Sequence, residues 1–188
     1  MEREAKRYVA LLRGVNVGGK NIISMPLLKI AFEEAGFMNV RTYINSGNIL
    51  FASNEDNIAT LQQICKQIII NRFQINTPVV VLSAQELLDA VDNAPEWWGR
   101  DNESKHNAIF IIAPAMAKDI IAQVGETKPE YENVAHYGRV IFWSAPQQTF
   151  SRTRWSKIVS TDIYGSITIR NANTTKKLVQ IIRSDDMA

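Results

Sequence analysis

The feature that most constrains the fold is a recurring change of hydrophobic period. Short β-branched or aliphatic runs alternate with stretches whose apolar residues fall at helical spacing. Arg7 to Arg13 reads as a strand. Ser24 stands at an N-cap position and Pro26 in the first helical turn, where its missing N–H costs little. Leu27, Leu28, Ala31, Phe32 and Ala35 then share a helix face, and Gly36 closes it. Val40 to Ile44 and Ile49 to Ala52 are strands joined by Asn45-Ser46-Gly47-Asn48, a hairpin turn. Asp56 opens a second helix reaching about Phe73, with Ile58, Leu61, Ile64, Cys65, Ile68 and Ile69 as its buried stripe. Pro78 to Leu82 is a further strand. Ser83-Ala84-Gln85-Glu86 has the spacing of a capping box and starts a helix that ends near Ala94-Pro95.

After the polar segment Pro95 to Lys105, broken only by Trp97-Trp98, the order begins again. Asn107 to Ile112 is a strand and Ala115 to Val124 a helix. Glu132 to Tyr137 and Arg139 to Ser144 form a hairpin about Gly138. Thr153 to Thr161 reads as a helix, Ser166 to Arg170 as a strand, and Asn173 to Arg183 as a last helix. The expectation is therefore an α+β chain of two tandem ferredoxin-like (βαββαβ) halves made by internal duplication. Its domains are 1–95, carrying the glycine-rich loop, a connector 96–106, and a basic 107–188.

Composition removes several classes. A 46% hydrophobic content over 188 residues buries one large core or two small ones. The longest apolar runs, such as Ala108 to Ala115, fall short of the roughly 18 residues that span a bilayer. The mixed-charge N-terminus lacks the form of a signal peptide. One cysteine, Cys65, excludes an intrachain disulfide and suits a reducing cytoplasm. Charge is uneven. Glu55 to Glu103 holds eight acids against three bases, and Val134 to Arg183 eight bases against Asp162 alone. Clustered cations of this kind form either a solvated face or a polyanion-binding surface.

The segment Arg13-Gly14-Val15-Asn16-Val17-Gly18-Gly19-Lys20-Asn21 lies between a strand and a helix. Glycines permit positive φ, so successive N–H groups can turn inward as an anion nest. Arg13 and Lys20 supply charge, and Asn16 and Asn21 supply amide donors. Gly14, Gly19 and Lys20 fit the G-x-x-x-x-G-K of a Walker A loop. Against that reading, Asn21 lacks the hydroxyl that binds magnesium, and the helix begins about four residues too late. No apolar strand here ends in the metal-holding aspartate. An anion loop that is not a P-loop, or a structural loop, remains.

Ala10-Leu11-Leu12-Arg13-Gly14-Val15-Asn16-Val17-Gly18-Gly19-Lys20-Asn21 resembles the N-terminal hallmark of an uncharacterised bacterial family known as a domain of unknown function. The likeness continues through Met25-Pro26, Gly36-Phe37, Val40-Arg41-Thr42-Tyr43-Ile44, Ser46-Gly47-Asn48 and Phe51. It returns at Ser156-Lys157, at Thr168-Ile169-Arg170-Asn171-Ala172-Asn173-Thr174, and at Lys177-Leu178. The resemblance implies a two-part α+β fold and no particular activity. Ala172 departs from it, standing where an aromatic residue is expected.

Other constellations read more plainly. Arg170, Asn171 and Asn173 lead from a strand into a helix N-terminus, a natural anion position. Ser156 and Lys157 belong to a cationic stretch, Ser151 to Lys157, that interleaves Arg with Trp155. Two histidines, His106 and His136, have no second ligand at metal spacing, so neither a metal nor another cofactor is expected. Cys65 on an apolar face reads as a buried thiol, and the acid pairs Glu33-Glu34 and Glu130/Glu132 as polar surface. Asn45–Asn48 reads first of all as a hairpin turn, one that need not meet the glycine loop. Three functions compete: binding of a phosphate-containing small molecule or nucleic acid, an enzyme acting on a phosphorylated or carboxylated substrate, and a protein-interaction module acting through Trp97-Trp98.

Overall fold

A computed structural model describes residues 5–185 of the chain. The chain divides into two compact units at Gln85/Glu86.

The first unit is built from β1 (Lys6–Leu12), α1 (Met25–Glu34), β2 (Met38–Tyr43), β3 (Asn48–Ser53), α2 (Ile58–Phe73) and β4 (Val79–Ser83). Its four strands form one antiparallel sheet in the order β2-β3-β1-β4. Strand alternation sends Tyr8, Ala10, Leu12, Ile49, Phe51, Val79 and Val81 to one face, where they pack with Leu28 and Phe32 of α1 and Leu61, Cys65 and Ile69 of α2. Phe37 and Phe51 meet at 4.4 Å between ring centroids, with Phe32 at 5.6 and 5.8 Å. Each such fully buried ring contributes roughly 1.5–3 kcal/mol. The opposite-face residues Val9, Leu11, Leu50, Ala52, Val80 and Leu82 are buried too. That double burial explains why β1, β3 and β4 read as unbroken apolar runs. The second helix is capped by Asn57, whose side chain accepts from the Thr60 N–H at 3.0 Å, rather than by Asp56.

The second unit contains most of α3 (Ala84–Asp92), then β5 (Ser104–Ile111), α4 (Ala117–Val124), β6 (Asn133–Tyr137), β7 (Val140–Pro146), β8 (Ile167–Asn171) and α5 (Ala172–Asp185). Its antiparallel sheet has the order β6-β7-β5-β8. Ile109, Ile111, Ile141, Trp143 and Ile167 line one face, with Ile120 of α4 and with Trp155, Ile158 and Ile163. His106, Ala108 and Phe110 alternate to the other face, beside Ser144, Phe142, Thr168 and Arg170 on the neighbouring strands. Trp98 packs edge-on to Phe142 there, its indole N–H donating to the Asn107 carbonyl at 2.8 Å.

The helix expected over Thr153 to Thr161 is instead part of three 3-10 turns, Gln147–Arg152, Trp155–Ser160 and Asp162–Ser166. Side-chain oxygens take the backbone bonds an α-helix would need. Thr153 Oγ1 donates to the Phe150 carbonyl and accepts from the Ser156 N–H, and Ser160 and Thr161 donate to carbonyls three residues back. Glu132, 2% exposed, accepts from the N–H groups of Arg154 and Trp155 at 3.0 and 3.1 Å, and from that of Lys128. It is a buried organising carboxylate, not the surface acid its spacing implied.

Among the described residues no helix is long and apolar enough to cross a membrane.

Candidate functional site

The glycine loop follows β1 and is dominated by left-handed backbone. Gly14, Asn16, Gly18, Gly19 and Asn21 have φ of 63°, 56°, 58°, 73° and 49°. Asn tolerates this region better than most residues because its short amide bonds locally. Asn16 does more than tolerate it. Its Nδ2 donates to the carbonyls of Ile23 at 2.9 Å and Asn45 at 2.8 Å, and its Oδ1 accepts from the Ile23 N–H at 2.8 Å. Asn21 Nδ2 donates to the Gly14 carbonyl, and the Lys20 N–H to the Val17 carbonyl. The two asparagine amides therefore hold the loop's shape. The loop offers a ligand the N–H groups of Gly18 and Gly19, which bond to none of the described residues, and the exposed Lys20 ammonium. Arg13 is half-buried. Its main chain is tied down by the Pro78 carbonyl and the Thr77 hydroxyl.

The hairpin Asn45–Asn48 abuts this loop, a contact that the sequence did not require. The reason is topological: β1 and β3 are antiparallel, with Leu11 opposite Asn48, so β3 begins where β1 ends. The Leu12 N–H donates to the Gly47 carbonyl at 2.9 Å. A Cβ on Gly47 would lie 2.7 Å from Val15 Cγ2 and 2.8 Å from Leu12 Cβ, so only glycine fits. Ile44 beside it has φ of 48°, a position that strains a β-branched residue.

The remaining residues singled out in the sequence lie in the second unit and do not form one group. Ser156 donates to the Thr153 carbonyl and Lys157 is exposed, both in the 3-10 segment. Arg170 is buried. Its Nη1 donates to Thr168 Oγ1 and the Ile169 carbonyl at 3.0 Å, and burial pushes its pKa down to about 10 against an opposing influence from Tyr164. Asn171 and Asn173 do meet, in a cleft of about 390 Å³ at the end of the sheet where β8 passes into α5. Asn171 Oδ1 caps that helix by accepting from the Thr174 N–H at 2.8 Å.

Sequence reading missed the group beneath this cleft. His106 Nε2 lies 3.1 Å from the Asp101 carbonyl and 3.3 Å from its Oδ2, while Nδ1 lies 2.5 Å from Ser144 Oγ. Two acceptors at Nε2 place the proton there, so Nδ1 accepts from the serine hydroxyl. The set has the members of a catalytic triad, with the ring nitrogens exchanged relative to the serine-protease arrangement. Ser144 is 3% exposed, which removes it from any substrate and makes the group a structural clamp. The Ser104 backbone N–H is the main influence holding the Asp101 carboxyl below its ordinary range, aided by the Ser104 hydroxyl, the Glu103 N–H and His106. The only sequence signal was a polar residue at an inward position of each strand, 38 residues apart. Among the described residues no cluster of three metal-ligating side chains occurs, and Cys65 is buried, its thiol pushed well above its usual range by desolvation.

The family described as "Protein of unknown function (DUF1697)" matches residues 5–142. A comparison with curated proteins gives no match. Among solved structures, a conserved bacterial protein of Streptococcus pneumoniae is 31% identical, with a TM-score of 0.83, over 95% of this chain and 99% of that one. The chain belongs to the DUF1697 family.

Proposed function

We propose that the chain binds a phosphate-containing ligand at the Gly14–Asn21 loop. One observation carries the reading: the loop is pre-formed by Asn16, which joins it to the hairpin, yet Gly18, Gly19 and Lys20 face outward with donors to spare. A rigid set of N–H groups beside an ammonium suits an oxyanion, because little order is lost when it binds. A small phosphorylated molecule fits this short loop better than a long polyanion does. The reading covers both a binding protein and an enzyme that uses the loop to hold its substrate.

The test is thermal unfolding of wild type, Lys20→Ala and Gly19→Ala with pyrophosphate, nucleotides and sugar phosphates. A ligand at one hundred times its Kd stabilises by about 2.7 kcal/mol. The expected result is a shift in wild type that both variants lose. A shift that survives in both, or none with any phosphate ligand, sinks the reading.

Two finer statements accompany it. The two units read as tandem ferredoxin-like folds from a duplication. Support comes from the shared strand order, in which β5, β6, β7 and β8 take the places of β1, β2, β3 and β4. Superposing the two sheets in a crystal structure tests this, and helices on unlike faces would refute it. A reducing cytoplasm is the setting expected for a chain whose single thiol is buried in its core.

A further inference from the structure

We infer that the cleft of the second unit, where β8 meets α5, binds a sugar or other polyhydroxylated small molecule. Its size lies within the roughly 300–1,000 Å³ common for small-molecule sites. The argument rests on which of its polar groups are already engaged.

The charged groups are spoken for. The Asp101 carboxylate is half exposed but engaged: Oδ1 accepts from the Glu103 and Ser104 N–H groups at 2.9 and 2.6 Å, and Oδ2 lies 3.3 Å from His106 Nε2. Lys105 Nζ lies over the Phe150 ring at 4.3 Å. Both nitrogens of His106 are occupied, so it is not a base awaiting a substrate. What remains is uncharged. The side-chain amides of Asn102, Asn107 and Asn173 make no hydrogen bond among the described residues, and Asn171 keeps its Nδ2 after its oxygen caps α5. The backbone edge of β5 adds further groups, since Ser104–His106 pair with β7 but run past the end of β8.

An amide presents two donors and an acceptor together. A phosphate accepts only and would leave the amide oxygens unmatched; a metal ion would leave the NH2 groups unmatched. Hydroxyl groups both donate and accept, so a polyol satisfies such a wall in full. A nucleobase edge has the same duality but needs a surface for its flat face. The aromatics nearby do not provide one: Trp98 is 3% exposed and carries Lys176 at 5.5 Å, and Phe150 is covered by Lys105.

The test is 15N-edited NMR of the whole chain titrated with ribose, glucose, N-acetylglucosamine, inositol and glycerol, alongside adenosine and pyrophosphate as contrasting probes. The expected result is saturable movement of the Asn102, Asn107 and Asn173 side-chain NH2 signals by at least one sugar or polyol. Asn107→Ala and Asn173→Ala should each weaken it about tenfold, with the backbone spectrum otherwise kept. Lys20→Ala should leave it intact, which separates this site from the glycine loop. No movement with any polyol at millimolar concentration overturns the inference. So does binding indifferent to both asparagine variants, or a response to adenosine or pyrophosphate alone.

Discussion

Asn16 joins two segments 29 residues apart with one side chain, and both of its polar atoms are used. Removing it strands the Ile23 N–H and carbonyl in part-buried surroundings, leaves the exposed Asn45 carbonyl to water, and puts an alanine at φ of 56°. Each of the two part-buried bonds costs about 0.5–1.5 kcal/mol when lost, and the left-handed alanine roughly one more. Asn16→Ala is therefore expected to lower stability by about 2–4 kcal/mol in urea unfolding, and Asn16→Asp, which keeps the bond to the Ile23 N–H, by less. Ile44 gives the opposite expectation. It is exposed and left-handed, and a β-branched residue there costs about 1–2 kcal/mol that asparagine largely avoids. Ile44→Asn should raise the urea midpoint by about 1 kcal/mol equivalent. A drop would mean that the side chain makes a contact worth more than its strain. The glycine and asparagine content of both loops was visible in the sequence. Their union was not, because it depends on Leu11 facing Asn48 across a pairing of distant strands.

At the scale of elements, hydrophobic period and capping residues identified all eight strands and all five α-helices of the described residues, since the strands are short apolar runs and the helix stripes are regular. It failed over residues 147–166. There the period is broken by hydroxyl side chains, and the local shape is set by a residue from elsewhere. Glu132 lies just before β6, yet its carboxylate gathers three backbone N–H groups from two segments. A carboxylate so used is strongly coupled to its donors, and truncation leaves all three buried or part-buried without a partner. Glu132→Ala should destabilise by about 3–5 kcal/mol in denaturant unfolding. Glu132→Gln keeps one acceptor oxygen and should lose about half of that. If Glu132→Ala unfolds within 1 kcal/mol of wild type, water replaces the carboxylate and the 3-10 segment owes its shape to its own hydroxyls.

Across the whole chain the charge asymmetry looks different once the fold is known. The acidic stretch and the basic stretch overlap in the second unit and partly neutralise each other. Arg139 Nη2 meets Glu86 Oε1 at 3.0 Å, and Arg183 meets Asp92. Arg170 is buried, and Lys176 donates to the Gly99 carbonyl at 2.8 Å over the Trp98 ring. Of the eight bases in Val134 to Arg183, four are exposed with no ion-pair partner among the described residues: Arg152, Arg154, Lys157 and Lys177. Nucleic-acid binding by this stretch is then limited to about four phosphates. Counterion release sets the slope of log K against log salt near −0.9 per phosphate on duplex DNA, so the slope should be no steeper than about −4. Fluorescence anisotropy of a labelled duplex across a salt series measures it. Arg154→Glu with Lys157→Glu should flatten the slope by about two while leaving thermal stabilisation by pyrophosphate unchanged. A slope far steeper than −4 would require cations outside these four, and would move the polyanion surface away from the C-terminal stretch.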